Sequence, residues 1–72
     1  MYYTDQTLKT ALDFAGSLIH GDWGYVDTFD LRYKSSHKHV IECETTVATI
    51  TVCTVLNVVE SFEFTHKEEE QS

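Results

Sequence analysis

Seventy-two residues suffice for one domain with a modest core, since a chain this short buries only about 60% of its unfolded surface. Five lysines and arginines against twelve aspartates and glutamates leave a net charge of −7. That balance argues against direct binding to nucleic acid or to an anionic membrane, where basic groups supply the attraction.

The first element in the chain reads as a helix. Leu8, Ala11, Leu12, Ala15, Leu18 and Ile19 recur at helical spacing and make one apolar stripe, with Phe14 at its edge. Thr4 or Asp5 offers an oxygen to cap its start, and His20-Gly21 fits its end, with Gly21 expected in the left-handed conformation. Gly21-Asp22-Trp23-Gly24 is a turn. The period then falls to two: Phe29, Leu31 and Tyr33 alternate with Thr28, Asp30 and Arg32, the pattern of a half-buried strand. Ser35-Ser36-His37 is expected as the hairpin loop. His39, Ile41 and Cys43 face one way in a second strand; Ala48, Ile50 and Val52 do so in a third. Leu56, Val58, Phe62 and Phe64 share a side in a fourth. The tail from His66 to Ser72 has no apolar residue and is expected to fray.

These elements predict an α+β fold, a single domain over residues 1–72, with one N-terminal helix packed on a three- to four-stranded antiparallel sheet. One register places every large inward residue on the helix side. Phe29 faces Cys43, Leu31 faces Ile41, Cys43 faces Ala48, Ile41 faces Ile50, Ile50 faces Phe62 and Ala48 faces Phe64. The stretch 46–62 has no glycine or proline, and its apolar residues also fit a helical stripe. Its valines, isoleucine and threonines favour strand, because branched side chains lose rotamer freedom in a helix. A second helix there is the alternative.

The chemistry-bearing residues are sparse. His37 and His39 point the same way on a strand, but Cys43 lies roughly 13 Å farther along, too far to share one ion, so no metal site and no cofactor are expected. The expected register sets His39 and Glu60 two strands apart, roughly 10 Å, which is too far for a hydrogen bond, and it puts Glu60 on the apolar side opposite Val52. No phosphate loop, nucleotide fingerprint or zinc-protease motif is present, so a non-enzymatic protein is expected. Cys43 and Cys53 have no zinc-site spacing, and Met1-Tyr2-Tyr3-Thr4-Asp5 has no basic start leading into an apolar core. Free thiols and a cytoplasmic location are expected. The longest uncharged run, residues 45–59, is 15 residues long and falls short of the about 20 apolar residues of a membrane span.

Acids and tryptophan supply the candidate binding residues. The expected register lines up Asp30, Glu42, Thr49 and Glu63 across the sheet face away from the helix, with Asp30 directly opposite Glu42. Like charges opposed on a sheet are destabilising, so such a row suits a surface that meets a basic partner. Glu44 and the acids of the tail would extend it. Trp23, between two glycines on a turn, is a candidate interface anchor or a cap on the helix–sheet core. The overall style, very short, acidic and without an enzyme motif, resembles the small inhibitory proteins of phages and mobile elements. Some of those imitate DNA to restriction, repair or CRISPR machinery. The likeness is one of style, carried by no motif, and it assigns no site residue. The expectation is a binding module that occupies a basic surface on a protein, including one that itself grips nucleic acid, in the host cytoplasm if phage-encoded. The alternative is an assembly protein, a homodimer through a sheet edge or the apolar segment from Val55 to Phe64.

Overall fold

The computed structural model describes residues 6–67. A helix, α1 (Gln6–Leu18), is followed by four strands, β1 (Gly24–Leu31), β2 (Ser36–Glu42), β3 (Thr46–Cys53) and β4 (Val59–His66), with a 3-10 turn at Arg32–Lys34 between the first two strands. The strands form one antiparallel sheet in chain order. The helix covers one face of it, packing chiefly on β3. The fold is therefore the expected α+β arrangement with all four strands present.

The core is small and made at the helix–sheet contact. Ala11 and Ala15 from the helix meet Ile41, Ala48, Ile50 and Val52 from the two central strands, all fully buried, and Leu8, Leu12, Phe14, Trp23, Val59 and Phe64 close its margins. Two alanines at the contact let the helix backbone approach the sheet closely. Leu18, by contrast, is 57% exposed, because the helix ends there and the stripe runs off the sheet. Phe14, expected at the edge of the stripe, packs on Phe62 with ring centroids 5.0 Å apart.

The segment from 46 to 62 is strand, turn and strand, not a second helix. Its reversal needs no glycine because Asn57 takes the left-handed conformation, with φ 57°. Asparagine tolerates that region better than most residues. Cys53 donates to Val58 O at 2.8 Å, and Asn57 donates to Cys53 O at 2.8 Å, closing the turn. Leu56 and Val58, expected in the fourth strand, belong to this connection.

The registers agree at one end of the sheet and differ at the other. Ile50 lies opposite Phe62 and Ala48 opposite Phe64, as expected. Between β2 and β3, Ile41 lies opposite Ala48, not Ile50, a slip of two residues that keeps every side chain on its face. Between β1 and β2, Phe29 lies opposite Lys38, not Cys43, five residues from the expected partner. An odd slip turns a strand over. Thr28 and Asp30 therefore face the helix side, while Phe29 and Leu31 face away. The cause is the hairpin turn, which comes earlier than the expected loop at 35–37. Arg32–Lys34 form the turn, Tyr33 among them, and Ser35 adopts φ 50°, so Leu31 must pair with Ser36.

Other expectations change as well. No glycine among the described residues has positive φ; Gly21 instead sits against Cys43, where an added Cβ would make an ordinary contact of 3.4 Å with Cys43 Cβ. A bulge sets Val59 opposite Val52, so Glu60 does not face Val52 and instead reaches the Ser36 hydroxyl at 2.8 Å. Strand β4 continues through His66, and Lys67 donates to Thr45 O at 2.8 Å, so the first two residues of the stretch expected to fray are held. The capping residues Thr4 and Asp5 and the acidic run 68–72 lie outside the described residues.

Candidate functional site

Alternation along the strands divides the sheet into two faces. His37, His39 and Ile41 of β2 share the helix side with Ala48, Ile50 and Val52 of β3. Lys38, Val40 and Glu42 consequently point away, with Val47, Thr49 and Thr51 of β3, Ser61, Glu63 and Thr65 of β4, and Asp27, Phe29 and Leu31 of β1. Among the described residues no second layer covers this face. Its centre is aliphatic and threonine-rich, with Val40, Val47 and Thr49 half-buried and Thr51 buried. Three acids, Asp27, Glu42 and Glu63, stand around that centre, and Lys38 is the one cation that the described strands place on the face.

The expected acidic row is therefore only partly assembled. Glu63 lies opposite Thr49, as expected, but that row continues to Val40 and Asp27 and not to Glu42 and Asp30. Glu42 stands in the next row, opposite Val47, with Lys67 Nζ 3.2 Å from its carboxylate. Asp30 is on the helix side opposite His37, with His37 Nε2 at 3.6 Å and Arg32 Nε at 3.4 Å from its oxygens. No acid opposes it. Glu44 sits exposed in the turn between β2 and β3. Asp27, which the expected row omitted, joins the face; its signal was the two-residue period itself, misassigned by the slip in β1.

Trp23 folds back on the core. Its indole N–H donates to Ile19 O at 2.9 Å, its ring meets Phe64 edge to face at 6.1 Å, and it is half-buried. It closes the end of the helix–sheet contact, and the donor bond satisfies a carbonyl just beyond the helix C-terminus.

The histidines do not stand on the surface as a pair. His39 is fully buried, with Nε2 2.7 Å from the Thr7 hydroxyl and Nδ1 2.9 Å from the Thr28 hydroxyl. A hydroxyl both donates and accepts, so either neutral tautomer of the ring is satisfied. His37 stacks edge to face on His39 at 5.8 Å, and its Nδ1 lies 3.4 Å from the same Thr7 hydroxyl. This polar cluster ties helix to sheet. Among the described residues no three His, Cys, Asp or Glu side chains gather as a metal site would require. Cys43 and Cys53 are both free thiols. Burial raises the Cys43 thiol, but hydrogen bonds from Thr45 and Thr46 outweigh it and leave it below its ordinary range.

The chain matches no protein-family model, and neither a curated protein nor a solved structure matches it. Among the described residues no helix is long and apolar enough to cross a membrane.

Proposed function

We propose that the chain is a non-enzymatic protein-binding module whose uncovered sheet face occupies a basic surface on a protein partner, in the manner of a small acidic inhibitor. One observation carries the reading: among the described residues no layer covers the face opposite the helix, and its strand-borne charges are three acids, Asp27, Glu42 and Glu63, against Lys38, with Lys67 beside Glu42 just after β4. Half-buried Val40 and Val47 between those acids offer an apolar centre within a charged rim, the usual anatomy of an interface. A partner whose basic surface holds nucleic-acid phosphates fits this charge pattern, with Glu44 at the adjoining turn extending it.

The test is comparative capture from cell extract on immobilised protein, parent beside the Glu42→Gln/Glu63→Gln double variant, at low and high salt. Basic proteins retained by the parent at low salt, lost at high salt and lost from the variant would support the reading; duplex DNA should displace them. Identical retention by parent and variant would refute it. A second reading, assembly through an apolar segment, is favoured by Val55 and Leu56, which are 75% and 70% exposed at the β3–β4 turn. Salt separates the two, since apolar contacts are not weakened by screening.

A further inference from the structure

We infer that strand β1 pairs edge to edge with β1 of a second copy, making an antiparallel two-fold dimer centred on Phe29. β1 is an outer strand of the sheet, and none of its eight residues is buried. The helix packs mainly on β3 and flanks β2 and β4, so β1 stands outside its principal contact. The strand nonetheless carries Tyr25, Val26 and Phe29, each about half exposed. An outer strand directs alternate N–H and C=O groups sideways, ready for another strand, unless proline, charged side chains or distortion blunt it. β1 has neither proline nor lysine; its charges are Asp27 and Asp30, and its one bulge, at Val26, lies near its start.

Beyond that bulge, Asp27–Leu31 run in unbroken register against β2, and Phe29 is their midpoint. An isologous contact must be self-complementary. A two-fold axis through Phe29, perpendicular to the sheet, sets Phe29 against Phe29, Asp27 against Leu31 and Thr28 against Asp30. No acid then faces an acid. Axes through Asp27 or Asp30 would oppose identical carboxylates, which is destabilising on a sheet. The antiparallel direction also lays the Arg32 and Lys34 end of one copy along the Asp27 end of the other, so the charges complement each other across the axis. The opposite edge is less suited. β4 is likewise bulged near its start, at Glu60, but its Phe62 already packs on Phe14.

Sedimentation velocity on the full chain, from micromolar to millimolar concentration, tests this. The expected result is a concentration-dependent rise to twice the monomer mass. Phe29→Lys should raise the dissociation constant about 30-fold or more, as removal of a central contact does, while Ser61→Lys on β4 leaves it unchanged. Thermal melts by circular dichroism establish that both variants fold. In a Cys43→Ala/Cys53→Ala background, mild oxidation of Phe29→Cys should give a covalent dimer, and Ser61→Cys should not. A monomer at every concentration overturns the inference, as does a dimer broken by Ser61→Lys but not by Phe29→Lys. The acidic-face reading is tested separately, because its partner binding weakens with salt, whereas salt screens the repulsion between two copies that each carry −7.

Discussion

His39 is the residue on which the helix and the first hairpin depend together. Its ring lies between hydroxyls from α1 and β1, at 2.7 and 2.9 Å, with no exposure to solvent. His39→Ala leaves a cavity and removes one hydrogen bond each from the buried Thr7 and half-buried Thr28 hydroxyls, so it should cost about 2–4 kcal/mol in chemical denaturation. Thr28→Val removes one bond at the rim and should cost about 1 kcal/mol. Equal costs for the two changes would show that the ring is not the centre of this cluster. Trp23 makes a parallel case at the other end of the core. Trp23→Ala should lower stability by about 3 kcal/mol through lost packing and the lost bond to Ile19. A Trp23→Ala protein that melts like the parent would return the residue to the role of an exposed anchor.

At the scale of elements, the helix and the inner pair of strands were legible because their patterns are pure. Alanines and leucines at helical spacing mark α1, and Ala48, Ile50 and Val52 alternate without interruption in β3. The β3–β4 register could be found because Ile50 and Ala48 each have one large partner, Phe62 and Phe64, on the correct side. β1 misled because both of its faces are exposed. Phe29 and Leu31 alternate as core residues would, yet no core lies over either face, so hydrophobic alternation had nothing to report. The deciding feature was the turn: Ser35 in the left-handed region is invisible to apolar patterning, and one misplaced loop inverted the strand. The same inversion moved Asp30 out of the candidate row and Asp27 into it. Packing predicts unequal costs within the core. Ile50→Ala removes a fully buried side chain and should cost about 3 kcal/mol; Leu12→Ala, half-buried at the margin, should cost about 1–2 kcal/mol. Urea titration of the two variants measures the difference, and a larger loss at Leu12 would contradict the placement of the helix over β3.

For the molecule as a whole, charge and thiols give the accessible tests. Glu63→Gln and Glu42→Gln remove exposed carboxylates from the open face, so they should leave the melting temperature nearly unchanged while slowing association with a basic partner, most at low salt. Cys43 directly follows β2, where the β2–β3 turn begins, whereas Cys53 lies opposite Ser36 at the start of β2. The seven residue steps between those positions span roughly 23 Å of strand, so no intramolecular disulfide forms without unfolding. Alkylation without reductant, read by mass spectrometry, should add two labels, with half-buried Cys53 reacting before buried Cys43. A mass showing an internal disulfide would overturn the sheet order.

The helix that leads the chain rests chiefly on β3, which ends at Cys53. During synthesis α1 therefore emerges with nothing to lie on until most of the chain has followed it. The β1–β2 hairpin is made next, but β1 adds no buried residue to the docking surface. Short isolated helices are marginal in water, so the first thirteen described residues should fluctuate between coil and helix until β3 arrives. Because each strand then pairs with its sequence neighbour, the sheet is completed hairpin by hairpin as the chain emerges. Ribosome-stalled chains cut before residue 46 should leave α1 open to protease, and chains released after residue 66 should protect it at once.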